Sequence, residues 1–302
     1  MNSISVDHLT KFYGKTCGIE DVSFAVPKGS IFGFLGPNGA GKTTTIRILL
    51  DIVRPSRGAA WLFGQSITPS YPAELRRQIG YLPGELRLYE ELTGSGYLQL
   101  MGRFYGTIDA GYRSQLLQDL DLAPSDLERP LREYSHGMRQ KIGLVHAMQH
   151  QPELLILDEP TEGLDPLIRT RFYELLAEQA NQGTTVFMSS HNLAEVERVC
   201  EQVAILRQGR LLTTQTVKEL KAVRLYQLEI ELVSEAAAGR FTLVGAENLK
   251  QNGSRLSLRW RGDFAALFSQ LQAYEMSDFS CKQADLEEIF LAYYRPEGGD
   301  EQ

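Results

Sequence analysis

No stretch of eighteen or more apolar residues occurs in the 302-residue sequence, and runs such as Ile142 to Met148 soon meet polar residues. The chain is therefore not expected to cross a membrane as a helix. Cysteine is scarce: Cys17, Cys200 and Cys281 are odd in number and far apart, which suits free thiols in a reducing compartment and offers no metal-ligand spacing. Positive charge is in deficit, with a net charge of −7, which argues against a surface built for DNA or anionic lipid and leaves clusters such as Arg76-Arg77 as solvated faces. The segment Met1 to Leu9 has neither a basic start with an apolar block nor a small-residue cleavage site, so no secretory signal is expected and the cytoplasm is the expected compartment. Internal repeats and low-complexity tracts are also missing. What remains, 43% hydrophobic and 23% charged residues, is ordinary globular composition, and the length fits one large domain plus a smaller one.

The first part alternates short β-rich runs with helical stretches, the pattern of an α/β domain with helices over a largely parallel sheet. Ile31–Leu35, Leu154–Leu157 and Thr185–Ser189 are the clearest buried strands, and ligands in such folds gather at the carboxyl ends of strands. Between about 85 and 151 helical segments take over, at Tyr97–Tyr105, Tyr112–Leu120 and Gly137–His150, as a helical insert would. A strand at Val203–Leu206 and a Gln208-Gly209 turn precede a helical stretch around Val217–Leu225, with the domain boundary expected near Gln215. Beyond it, Tyr226, Leu228, Ile230 and Leu232, and again Leu256, Leu258 and Trp260, alternate with polar neighbours as half-buried strands do. A last helix is expected from Asp285, with Glu288 in a capping-box position and Leu286, Ile289, Phe290 and Tyr293 forming a stripe that packs on its own sheet. Residues 1–215 thus read as one domain and 216–302 as a small α+β domain.

Gly36-Pro37-Asn38-Gly39-Ala40-Gly41-Lys42-Thr43 matches G-x-x-x-x-G-K-[ST] between the strand Ile31–Leu35 and a helix Thr43–Leu50. Glycines let the backbone close round phosphates, loop amides and the helix N-terminus supply partial positive charge, and Lys42 adds a full one. Thr43 is placed to hold Mg²⁺. Downstream, Leu154 to Leu157 runs into Asp158 and Glu159; an isolated Asp-Glu pair after a strand reads as surface acid. Joined to the phosphate loop, Asp158 supplies a carboxylate for Mg²⁺, and Glu159 one that orients or deprotonates an attacking water. ATP binding and hydrolysis follow.

A third motif, Tyr134-Ser135-His136-Gly137-Met138-Arg139-Gln140-Lys141, resembles the Leu-Ser-Gly-Gly-Gln signature of ATP-binding cassette (ABC) transporter nucleotide-binding subunits. It departs at Tyr134, His136 and Met138 and keeps Ser135 and Gly137, which would open the helix Gly137–His150 as a second anion-binding end. The resemblance implies a P-loop NTPase core of ABC ATPase type with a helical subdomain, and a head-to-tail pair in which Ser135 and Gly137 complete the phosphate site of a second subunit, homodimeric or heterodimeric. Matching residue to residue, it implies that Tyr13 stacks on adenine, although Tyr13 reads equally as a core aromatic, and that Gly36 to Thr44 (with Ala40, Gly41, Lys42, Thr43 and Thr44) wrap ATP. It also implies that Asp165 speaks across the dimer and that His191 joins Glu159 and Lys42 in catalysis at the γ-phosphate. His8, His146 and His150 receive no role. Where the family carries a glutamine after Ile79-Gly80-Tyr81-Leu82-Pro83, this chain has Gly84 and then Glu85, so the usual contact is expected to be missing, with Glu85 or a water in its place or coupling altered.

Leu286-Glu287-Glu288-Ile289-Phe290-Leu291 resembles the closing helix of ABC-2-type exporter subunits, which implies export through a separate integral membrane permease, a peripheral location on the inner face of the cell membrane, and no nucleic acid partner. Two other readings stand beside it. A soluble ABC ATPase would need two phosphate loops or long coiled-coil arms, which are missing; an ATP-dependent regulatory switch is disfavoured by Asp158 and Glu159 but kept open by Gly84.

Overall fold

The structure is a computed structural model that describes residues 2–67, 72–222 and 225–283. The chain divides into two compact units, Met1–Thr216 and Val217–Gln302. In the first, strands β1 (Asn2–Tyr13) and β2 (Thr16–Pro27) form a hairpin, followed by β3 (Ile31–Leu35), helix α1 (Lys42–Leu49), β4 (Arg57–Leu62), β5 (Gln65–Ser66), α2 (Ala73–Arg77) and β6 (Ile79–Leu82). The helical stretch comprises α3 (Gly94–Gly102), α4 (Ala110–Asp119), α5 (Pro124–Leu127) and α6 (His136–Met148). Strands return with β7 (Leu154–Asp158), α7 (Pro166–Asn181), β8 (Thr185–Ser190), α8 (Leu193–Val199), β9 (Gln202–Arg207) and β10 (Arg210–Thr216).

Two sheets result. A six-stranded sheet of order β10-β9-β3-β8-β7-β6 is parallel except for its edge strand β10. Its central strands β3, β7 and β8 are buried at every position, as expected where both faces of a parallel sheet are covered. The second sheet, β2-β1-β4-β5, is antiparallel. Ile4, Val6 and Leu9 of β1 join Phe24 of β2, Ile46 and Leu49 of α1, and Phe32, Phe34 and Phe187 of the parallel sheet in one core cluster. Within it the Phe24 and Phe187 rings stack 5.8 Å apart, so α1 and the strands that precede and flank it are fixed by shared packing.

The sequence reading overlooked this antiparallel sheet, and the reason is physical. Between Val6 and Leu9 the register shifts, with His8 at φ 48°, so the apolar positions run 4, 6, 9 and break the period of two. Boundaries differ elsewhere by one to three residues: α3 begins at Gly94 after a cap at Thr93, whose side chain accepts from Gly96 N–H, and α4 at Ala110 after a cap at Asp109, which accepts from Gly111 and Tyr112 N–H.

At the C-terminal end of α6, His146 and His150 are half-buried among tyrosines. Tyr97 Oη lies 3.1 Å from His146 Nδ1, Tyr105 stacks on His150 with centroids 3.7 Å apart, and His150 Nε2–H donates to the Ile79 carbonyl at 3.2 Å. Burial lowers both imidazoles to about 4, so they pack as neutral rings.

In the second unit α9 (Val217–Ala222) precedes β11 (Leu225–Leu232), α10 (Glu235–Ala238), β12 (Ala246–Asn252), β13 (Arg255–Arg261), α11 (Phe264–Leu271) and β14 (Met276–Gln283). The sheet, β12-β13-β11-β14, is antiparallel. Leu228, Ile230, Leu256, Leu258 and Trp260 meet Leu267 and Leu271 of α11 in a second core. The helix expected to reach Leu225 stops at Ala222, because Leu225 already pairs with Arg261 in the sheet. The expected helix from Asp285, with its stripe Leu286, Ile289, Phe290 and Tyr293, lies outside the described residues.

A pH dependence follows from the two depressed histidines. The unfolded chain binds their protons near pH 6.5 and the folded chain only near 4, so stability is complete above 6.5 and falls as pH drops through this window. Each histidine is expected to cost about 2 kcal/mol by pH 5, at about 1.4 kcal/mol per pH unit. Thermal denaturation at pH 7.5 and 5.0 checks this: the loss should shrink in the His146→Gln and His150→Gln variants, and an unchanged loss would contradict the assignment.

Candidate functional site

The chain leaves β3 at Leu35 and turns back into α1 through residues 36–41. Glycine is required here by close approach: a Cβ on Gly36 would stand 2.5 Å from the Leu206 carbonyl oxygen, and one on Gly41, at φ 106°, would meet Ile19 Cγ2 at 2.5 Å. Gly41 caps α1 without any side chain covering the first amides, so the donors of the first turn remain for an anion. The helix starts at Lys42, one residue earlier than expected. Lys42 is 5% exposed, and its Nζ folds back to donate to the carbonyls of Gly36 (2.6 Å) and Pro37 (3.2 Å).

Beside this loop the parallel register sets the ends of β3, β8 and β7 side by side, with Leu35 opposite Ser190 and Asp158 opposite Ser189. Asp158, 1% exposed, accepts from Thr43 Oγ1 on Oδ2 at 2.8 Å and from Ser189 Oγ on Oδ1 at 2.5 Å. Glu159 adopts φ 53°, unusual for a residue with a Cβ, and its N–H donates to Ser189 Oγ at 3.1 Å. This turn aims its carboxylate back at the loop. Oε2 lies 2.9 Å from His191 Nδ1, and Oε1 lies 3.1 Å from Lys42 Nζ but makes no hydrogen bond of good geometry. A buried ammonium with one carboxylate as counter-ion suits exchange with phosphate oxygen, and the paired hydroxyl and carboxylate of Thr43 and Asp158 are hard oxygens of the kind Mg²⁺ takes.

A cavity of about 300 Å³ runs from Tyr13 and Cys17 past residues 37–39 and 41–44 to Glu159. Gly36 and Ala40 back the loop and do not line it. Tyr13 is 44% exposed at the rim, not a core residue, with Lys11 Nζ 5.2 Å from its ring centroid. A larger hollow of about 490 Å³ lies on the charged face of the second unit's sheet, among Glu229, Glu231 and Arg255. No phosphate loop or buried cation accompanies it, so size alone does not mark the site.

Ser135 caps α6, its Oγ accepting from Met138 N–H at 3.3 Å. Gly137 packs so closely on Gly163 that a Cβ would stand 2.7 Å from that carbonyl oxygen, and the His136 ring covers Gly163 from the other side. The Ser135 segment and the Glu162 to Asp165 loop therefore support each other. Asp165 caps α7 by accepting from Leu167 and Ile168 N–H at 3.1 and 3.0 Å, and the Ile168 bond foremost holds its carboxyl below the ordinary value. Tyr134 is buried and donates to the Asp126 carbonyl. Ser135, Gly137 and Asp165 do not line the cavity that holds Lys42.

Past β6, a Cβ on Gly84 would stand 3.3 Å from Asp158 Oδ2, and a second cavity of about 250 Å³ opens there between Thr43, Arg47, Tyr81, Glu85, Arg87 and Asp158. The Tyr81 phenol is pushed up to about 12 by burial, with the Asp158 charge adding and Arg47 opposing. Sequence reading missed Ser189, Tyr81 and Arg47. Arg47 was the most accessible of them, because it follows Thr43 by one helical turn and so shares its face.

A phosphate loop on a parallel sheet, with an acidic pair on the adjacent strand and a helical insert, defines a P-loop ATPase cassette. The family described as ABC transporter matches residues 19–162. The daunorubicin/doxorubicin resistance ATP-binding protein DrrA of Streptomyces peucetius is 33% identical over 96% of this chain and 92% of its own. Across bacterial relatives the matches span between 62% and 92% of their own length. A solved ATP-binding subunit of an ABC transporter is 36% identical over 72% of this chain and 91% of that one, with TM-score 0.67. A dimeric bacterial ABC transporter cassette shares the fold at 21% identity and TM-score 0.65, covering 71% of this chain and 98% of that one. The chain belongs to the ATP-binding proteins of ABC transporters, a family of ATPases.

Gly41→Ala is expected to lose nucleotide retention by tenfold or more, because it combines positive φ with a clash against Ile19. Titration with a fluorescent ATP analogue, alongside a melting curve to separate misfolding, checks it; wild-type affinity in the variant would contradict the loop geometry.

Proposed function

We propose that two copies of this chain close head-to-tail around two Mg·ATP and that hydrolysis reopens them, driving export through a separate integral membrane permease. One observation carries the reading: buried Lys42, the Thr43–Asp158 pair and Glu159 converge within about 3 Å contacts at the ends of three adjacent strands. Support for the second copy comes from the Ser135 helix tip, which does not line the cavity that a nucleotide would enter in its own chain. Support for export comes from similarity over nearly the whole chain to a drug-resistance ATP-binding protein. Among the described residues no helix is long and apolar enough to cross a membrane.

Lys42 and the loop amides hold the β- and γ-phosphates, displacing Glu159 from Lys42. Tyr13 stacks at the rim and Thr44 adds a donor near the phosphates. Thr43 and Asp158 would hold magnesium, which when bound would supply neutralisation of the phosphate charge. Glu159, released from Lys42 but still beside His191, orients the attacking water and takes its proton as the water oxygen bonds to the γ-phosphorus and the bond from that phosphorus to the bridging oxygen breaks, its electron pair leaving with ADP; His191 steadies the γ-phosphate. Ser135 and Gly137 of the second copy meet the same γ-phosphate, and Asp165 stiffens the loop next to them.

A switch that binds ATP and scarcely hydrolyses it is the one other reading with an observation behind it, the side-chain gap at Gly84. Glu159→Gln decides between them. The variant is expected to retain ATP and form dimers seen by light scattering while turnover falls at least 100-fold, the range lost with a general base. Wild-type turnover in the variant would remove Glu159 from its role, and negligible turnover by the unaltered chain would favour the switch.

A further inference from the structure

We propose that the cavity behind Gly84 is a binding site for inorganic phosphate, through which the cleaved γ-phosphate leaves; the inference rests on the nucleotide reading of the adjoining loop. Thr43 lines both cavities, so a group held at its hydroxyl stands at their junction. On one side lie Lys42 and Glu159; on the other, Arg47 and Arg87.

The charge pattern of the second cavity favours an anion. Arg47 points from the Thr43 face of α1 and forms no ion pair among the described residues. Arg87 reaches only Glu85, at 4.0 Å, with both side chains largely in water, a contact of little energetic weight. Two guanidinium forks thus remain free for tetrahedral oxyanions, which they bind with paired N–H donors. Asp158, the remaining carboxylate in the wall, has an oxygen engaged by each of Thr43 and Ser189, and the Tyr81 phenol, protonated at neutral pH, adds a donor.

In this proposal the absent side chain at Gly84 leaves the way open between the two cavities. The Cβ of any side chain there would begin 3.3 Å from Asp158 Oδ2, in the wall of the second cavity beside the shared Thr43. The missing glutamine is then not only a lost contact: its space becomes an opening on the side of the γ-phosphate away from the nucleotide entrance, where phosphate can depart before ADP.

Two measurements on the full chain test this. Inorganic phosphate is titrated onto the ADP-saturated protein, wild type and R47Q/R87Q; its affinity is expected to fall about tenfold in the double variant while ADP affinity stays within twofold. In single-turnover hydrolysis, Gly84→Gln is expected to lengthen several-fold the lag between ATP cleavage, read by acid quench, and phosphate release, read by a fluorescent phosphate sensor. Unchanged phosphate affinity in the arginine variant, or release as prompt in Gly84→Gln as in wild type, overturns the proposal. A wild-type chain that binds no ADP overturns the nucleotide reading itself, and this site with it, a result distinct from failure at Arg47 and Arg87 alone.

Discussion

The Asp158 carboxylate, held between the hydroxyls of Thr43 and Ser189, joins three separate segments of chain in one charged centre. Without solvent to screen it, this acid needs both donors, since a buried carboxylate left unpaired costs several kcal/mol. Each donor in turn fixes something else. Thr43 ties the acid to the first turn of α1, and Ser189 also takes the Glu159 amide, holding that residue in its strained turn. The Phe24, Phe32, Phe34 and Phe187 cluster beneath keeps the strands from sliding, so the position of the acid is set by the core.

Ion pairing explains how the site stays ready without ligand. Lys42 is buried and would be unstable alone, but Glu159 lies 3.1 Å away and His191 braces the other carboxylate oxygen. In the proposed mechanism, entry of phosphate exchanges one anion for another near the ammonium, so the incoming charge meets a place already shaped for it, and the same exchange frees Glu159 to act on water.

Much of this was readable in advance, and the parts that were not have identifiable causes. The phosphate loop and the Asp158-Glu159 pair are local patterns in which eight or fewer neighbours specify the geometry, so their residues could be named directly. Ser189 depends on a register between β7 and β8 that no local pattern encodes. The β1–β2 sheet was hidden by the irregular register at His8, and α11 and β14 of the second unit carry short apolar patterns that read ambiguously until they meet across the sheet. Tyr13 was open between core and rim; its exposure at the mouth of the cavity is a tertiary fact. Gly84 stood out as a departure from the family, yet only the position of Asp158 beside it gives that departure a shape.

The central claim is that each phosphate is gripped by Lys42 of one copy and Ser135 of another. Mixing two inactive chains, Lys42→Ala and Ser135→Ala, and measuring ATP turnover tests it most directly. In a head-to-tail pair, one of the two sites in a mixed dimer keeps both Lys42 and Ser135, so activity should rise well above that of either variant alone, toward half that of the wild type in mixed pairs. Turnover equal to the average of the two inactive chains at every mixing ratio would contradict the account.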